Sequence, residues 1–143
     1  MATILVIEDN AANMKLATLL LTHAGHTVLA AGDAESGLAM AKLEEPHLIL
    51  MDIQLPGMDG YRATAMLKQD PATSAIPVIA LTALAMKADE ERSYMAGCDA
   101  YIAKPLRRAE LYAVADRLLS SSPAVVRVED ATASGLEADD RRR

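Results

Sequence analysis

Leu48-Ile49-Leu50-Met51-Asp52 is the stretch on which the reading of the fold turns. Four apolar residues lead directly into one acid. An unbroken apolar run of this length reads as a strand buried on both faces, as in the middle of a parallel sheet. An acid within such a strand would be costly to bury. At the strand's C-terminal end the same acid lies at the crevice where open α/β sheets bind ligands. Asp is also common in turns, so Asp52 on its own reads equally well as the first residue of a loop.

The same arrangement repeats on either side. Thr3–Ile7 is another apolar run, and it ends in Glu8-Asp9. Asn10 is placed to cap a helix with Ala12, Leu16, Leu19, Leu20 and His23 along one face, closed by Gly25. Thr27–Ala31 is the next strand. Asp33 caps a second helix whose inward face is Ala34, Leu38 and Ala41, and Pro46 ends that connection before the central run. Gln54-Leu55-Pro56-Gly57-Met58-Asp59-Gly60 is a loop by its Pro and Gly content. A third helix covers about 61–69 and is broken by Asp70-Pro71. Residues 77–81 form a strand that ends at Thr82. A fourth helix is expected at about 85–95, almost wholly polar over 87–92 and stopped by Gly97. A fifth strand, 99–103, ends at Lys104-Pro105, and the last helix uses Leu111, Val114 and Leu118.

Strict alternation of five strands and five helices implies a doubly wound α/β fold, a five-stranded parallel sheet with helices on both faces. Five strands suit the order 2-1-3-4-5. The 143 residues fit one domain, 1–119, with a tail from 120 to 143. Ser120-Ser121-Ser122-Pro123 has linker composition. Beyond it, Val125, Val126, Val128 and Leu136 are too few to bury a core, so a disordered tail is expected. A short strand at 125–128 that docks on a partner is the alternative.

Bulk composition removes several functions. There is no Phe and no Trp, so the core must be Leu, Ile, Val, Ala and Met. A net charge of −6 without a basic stripe argues against DNA or RNA as partner. No apolar run approaches the roughly 20 residues that insertion into a membrane requires. The run at Ile4 follows no basic segment, so a signal peptide is not expected. The single cysteine, Cys98, cannot form an intrachain disulfide and reads as a small buried hydrophobe; a cytoplasmic location fits best.

At the C-terminal strand ends stand Glu8 and Asp9, Asp52, Thr82 and Lys104. In the 2-1-3-4-5 order the first and third strands are neighbours, so three carboxylates share one crevice. Such a group either raises its own pKa values or recruits a cation. Oxygen ligands on a wet rim suit Mg²⁺ or Mn²⁺. With an ammonium and a hydroxyl added, the set forms a receptor for a phosphoryl group carried on Asp52. A carboxylate can attack phosphorus and hold it as an acyl phosphate. Asp52 would be the nucleophile, Asp9 (with Glu8 through water) would hold the metal, and Lys104 would pair with a phosphoryl oxygen.

Glu8-Asp9, Leu50-Met51-Asp52, Leu55-Pro56-Gly57-Met58-Asp59-Gly60, Leu81-Thr82-Ala83 and Lys104-Pro105 together resemble the receiver domain of two-component response regulators, with its flavodoxin-like, CheY-like (βα)5 fold. The likeness spans roughly residues 3–119. Asp52-Ile53-Gln54-Leu55-Pro56, Ala85-Met86-Lys87, Asp89-Glu90-Glu91-Arg92 and Gly97-Cys98 are more similar still to stand-alone receivers of the DivK type.

The resemblance implies that Asp52 is the phosphoacceptor, charged from a histidine kinase or histidine phosphotransfer protein. It implies a Mg²⁺ site of Glu8, Asp9, Asp52 and the Gln54 backbone carbonyl. It makes Thr82 the switch hydroxyl, Tyr101 the switch aromatic, Lys104 the phosphoryl-binding lysine and Lys104–Pro105 a cis bond. Output would pass by protein contact through the fourth helix, fifth strand and fifth helix to a downstream protein target, with homodimerisation on phosphorylation left open. The alternatives are a pseudo-receiver scaffold that works without phosphorylation and a receiver fragment of a hybrid histidine kinase. An aspartyl phosphatase of the haloacid-dehalogenase type would want a second Asp where Gln54 stands. A flavodoxin-like carrier would want a hydroxyl-rich loop where Glu8-Asp9-Asn10 stands.

Overall fold

Five parallel strands set the frame: β1 Thr3–Ile7, β2 Thr27–Ala31, β3 Leu48–Asp52, β4 Val78–Thr82 and β5 Ala100–Ala103. They lie in the order β2-β1-β3-β4-β5 in a computed structural model that describes residues 1–83 and 87–121. Five helices alternate with them: α1 Ala11–His23, α2 Ala34–Glu44, α3 Gly60–Gln69, α4 Lys87–Ala96 and α5 Arg108–Ser121. The doubly wound α/β architecture is therefore as expected. The expected start of the fourth helix at Ala85 and most of the expected tail, including a strand at 125–128, lie outside the described residues.

β3 is buried over its whole length, Asp52 included. Alternate side chains along the strands feed two cores. Leu5, Ile7, Ile49, Met51, Val78 and Ala80 pack beneath α2 and α3. Ile4, Val6, Leu48, Leu50, Ile79, Leu81 and Ile102 pack beneath α1 and α5. No aromatic ring is fully buried in either core, which fits a chain that contains no Phe or Trp. Small residues close the gaps: a Cβ on Gly37 would come within 2.7 Å of Ile7 Cγ1, so only glycine lets α2 lie this close to β1.

The N-caps follow the sequence. The side chains of Asn10, Asp33 and Asp59 accept the amides of Asn13, Ser36 and Arg62 at 2.8–2.9 Å. The α2 face is as expected, with Ala34 and Ala41 buried and Leu38 packed against the core. The α1 face is not. Ala12, Leu16, Leu19 and His23 are exposed, while Ala17 and Leu21 are buried and Met14 and Leu20 pack beside them. The helix is turned by roughly one residue, 100°. In α5, Leu111 and Ala115 are the buried pair, with Val114 and Leu118 packed at their edge. That helix continues through Ser121, so Ser120 and Ser121 end a helix rather than begin a linker.

Candidate functional site at the carboxyl ends of β1, β3 and β5

Parallel register brings the site together. Ile7 pairs with Met51 and Asp52 with Leu81, so the residue after β1, Glu8, comes alongside Asp52. Thr82 pairs with Ala103, and the Lys104 amide donates to the Thr82 carbonyl at 2.7 Å. Lys104 is thereby aimed back over β3 and β1. The Lys104–Pro105 bond is cis.

The loop after β3 is pinned against its own strand. The Gly60 amide donates to the Ile53 carbonyl at 3.0 Å, and a Cβ on Gly60 would strike the Asp52 carbonyl oxygen and the Ile53 Cα. α3 can start this close to the acid only because Gly60 has no side chain. Gly60 appears in the sequence merely as a loop glycine; the Asp59-Gly60 pair, a cap followed by a contact residue, is the signal that marked it.

The carboxylates converge. One oxygen each from Glu8, Asp9 and Asp52 lie within 4.8 Å of one another. Glu8 and Asp52 are 3% and 1% exposed, whereas Asp9 faces solvent. Lys104 Nζ sits 3.1 Å from Glu8 Oε1 and 3.3 Å from Asp52 Oδ1, with 17% of its side chain exposed. Asp52 Oδ1 also accepts the Gln54 amide at 3.0 Å, and Glu8 Oε2 accepts the Asn10 amide at 3.1 Å. Burial raises the Glu8 pKa, and the neighbouring Asp52 carboxyl raises it further, against the pull of the Asn10 amide and Lys104. Glu8 Oε1, though ion-paired, is buried without a hydrogen-bond donor. A buried oxygen short of a donor, beside two further carboxylates, is a donor set that could hold a hard cation.

Around this cluster the other expected residues take distinct places. Gln54 is exposed at the mouth, and its side-chain oxygen accepts the Ala83 amide at 3.4 Å, bridging the loops after β3 and β4. Thr82 is buried at the end of β4, next to β3. Tyr101 is on β5, half-buried against the core. Burial raises its hydroxyl pKa, and Asp89, Tyr61 and Glu90 add to the rise. The three histidines stay out of the site. His26 and His47 serve the opposite end of the sheet, their Nδ1 atoms accepting the Ala2 and Thr3 amides at 3.1 and 3.0 Å.

Residues 4–116 match the response regulator receiver domain. The chain belongs to that family. This receiver is 45% identical over 104 residues to the polar-differentiation response regulator DivK of Brucella anthropi, covering 73% of this chain and 85% of the relative. DivK of Brucella melitensis matches at the same identity and coverage. Among solved structures, the receiver domain of the sensor histidine kinase PA1611 from Pseudomonas aeruginosa, with a magnesium ion coordinated in its active-site cleft, superposes with a TM-score of 0.79. It shares 36% identity and covers 84% of this chain and 98% of that one. A response regulator from Chloroflexus aurantiacus superposes at 0.81 with 29% identity, over 83% of this chain and 98% of that one. The CheY-like fold expected of a receiver is what this chain adopts.

Proposed function

We propose that this receiver is a phosphorylation-dependent switch, with Asp52 accepting a phosphoryl group from a histidine kinase or histidine phosphotransfer protein. The observation that carries this reading is Lys104 Nζ lying between Asp52 and Glu8 at the mouth of a three-carboxylate cluster. The ammonium holds the position that a phosphoryl oxygen on Asp52 would need neutralised.

Glu8, Asp9, Asp52 and the Gln54 backbone carbonyl would hold Mg²⁺, with Mn²⁺ as an alternative occupant. That ion, when bound, supplies Lewis-acid neutralisation of the transferring phosphoryl oxygens. The chain's own residues do the rest. An Asp52 carboxylate oxygen forms the new bond to phosphorus in line with the donor's breaking P–N bond, and the electron pair departs on the imidazole. The Gln54 amide fixes the Asp52 carboxylate, so little orientational freedom is lost in reaching the transition state. Lys104 follows the developing charge by moving from carboxylate to phosphoryl oxygen. The protein is a phosphoacceptor rather than a turnover enzyme in this reading.

After transfer, the added charge gives Thr82 and Lys104 a new group to bind. Contacts made in only one arrangement shift the population toward it. Tyr101 would follow Thr82 inward, changing the α4-β5-α5 surface that a downstream protein reads. The similarity to DivK favours a stand-alone regulator. The similarity to a histidine kinase's receiver domain keeps a second reading, a receiver fragment of a hybrid kinase.

The test is intact mass after incubation with acetyl phosphate, with and without Mg²⁺, beside Asp52→Asn. One Mg²⁺-dependent phosphoryl adduct, absent in the variant, is expected. Folded protein that gains no adduct and releases no phosphate would overturn the reading in favour of a phosphorylation-independent scaffold.

A further inference from the structure

α4 has no apolar face. Of its described side chains only Ser93 is buried, and Tyr94 and Met95 are 47% and 87% exposed. Its Ser93 hydroxyl is spent on its own backbone, donating to the Asp89 carbonyl at 3.0 Å. A helix so placed gains little from burial and must be held by particular contacts.

Tyr61 supplies two of them. Its hydroxyl donates to the Asp89 carbonyl in the first turn of α4 at 3.3 Å. One turn on, the Arg92 guanidinium carbon lies 4.3 Å from the centre of the Tyr61 ring. The ring itself is half-buried against the core beside Tyr101. Tyr61 directly follows Gly60, the residue packed on the Asp52 carbonyl. A short, stiff path therefore runs from the phosphoacceptor strand through the first turn of α3 to the first turns of α4.

We propose that Tyr61, gripping the Asp89 carbonyl and the Arg92 side chain, is a positioning residue that latches α4 in its unphosphorylated arrangement and so sets how readily the switch moves. The inference rests on the proposed phosphoacceptor role of Asp52. One cation–π contact and one hydrogen bond make a latch of about tenfold in the equilibrium. A latch of that size biases a two-state element without freezing it.

The experiment uses the full chain, with Tyr61→Leu, Tyr61→Phe, Arg92→Gln and the Tyr61→Leu/Arg92→Gln double variant. Hydrogen exchange of the α4 amides is followed without phosphodonor. Phosphoryl uptake from acetyl phosphate with Mg²⁺ is then followed by intact mass. Tyr61→Leu is expected to speed α4 exchange about tenfold, leaving α1 and α5 unchanged, and to speed uptake, because the unlatched arrangement is the one the phosphoryl group stabilises. Tyr61→Phe keeps the ring on Arg92 and should fall between. The double variant should exceed Tyr61→Leu by less than the separate Arg92→Gln effect. Unchanged α4 exchange in all three single variants would overturn the latch. Faster exchange with unchanged uptake would overturn its coupling to Asp52. Wild-type protein that takes up no phosphoryl group overturns the phosphoacceptor role itself, and is recognised because it is read before any variant is made.

Discussion

Lys104 Nζ lies 3.3 Å from Asp52 Oδ1 and 3.1 Å from Glu8 Oε1, so one ammonium serves two buried carboxylates at once. Taking one partner out of a buried charge group leaves the others uncompensated, which costs more than the group as a whole contributes. Lys104→Met should therefore lower unfolding stability by about 1–3 kcal/mol in metal-free buffer, a cost moderated because one carboxyl can take up a proton. Millimolar Mg²⁺ should recover part of it, since a ligand that binds only the folded state stabilises by mass action. Urea unfolding with EDTA and with Mg²⁺ measures both. A variant as stable as the parent in EDTA would show that the ion pair is not what holds the carboxylates.

Gly60→Ala tests how closely the site loop is fitted. The added methyl meets backbone on both sides, the Asp52 carbonyl and the Ile53 Cα, and neither can rotate away. Overpacking against fixed atoms costs about 1–3 kcal/mol. Because the displaced atoms are the phosphoacceptor's own carbonyl and the Cα that follows it, phosphoryl uptake should fall along with the melting temperature. Gly32→Ala is the control: a methyl there meets no atom within 4 Å, and the glycine needs no positive φ. It should leave both measurements near the parent's.

What could be read from the sequence divides along physical lines. β3 and its acid were legible because a strand buried on both faces has no solvent side to confuse its pattern. Once the strand order was right, Glu8, Asp9, Asp52 and Lys104 had to meet, because parallel register fixes them. α1 misled because its leucines spread over more than one face, Leu16 and Leu19 on the exposed side and Leu21 on the buried one, and small Ala17 proves to be an inward residue. Tyr61 gave no signal at all. Its partners are 28 and 31 positions away, and a cation over a ring leaves no trace in hydrophobic spacing.

A second lysine works purely on the fold. Lys68 Nζ donates to the Ile76 carbonyl at 2.7 Å and to Asp99 Oδ2 at 3.0 Å, and Asp99 Oδ2 in turn accepts the Val78 amide at 2.9 Å. The end of α3 is thereby tied to the starts of β4 and β5, at the sheet end away from the acids. Lys68→Met keeps the stem that packs beneath Gly97 and removes the charge. Each charge-assisted bond contributes roughly 1.5–3 kcal/mol, and a partly exposed lysine delivers the low end, so a loss of about 2 kcal/mol is expected. Phosphoryl uptake, measured well below the melting temperature, should be unchanged. A slowed uptake would mean that strain at this end of the sheet reaches Asp52.

The histidine end of the sheet should respond to acid. His26 Nδ1 accepts the Ala2 amide, which requires a neutral ring, and burial chiefly holds its pKa below the ordinary 6.5, with Asp116 opposing. The unfolded chain therefore binds the proton more readily than the folded one. Stability from this group is complete above pH 6.5 and is lost as the pH falls through the lowered folded value. Asn at this position can present Oδ1 where the imidazole presents Nδ1, and it does not titrate. Urea midpoints at pH 7.5 and pH 5 should thus differ more for the parent than for His26→Asn. Equal drops would assign the acid sensitivity to groups other than His26.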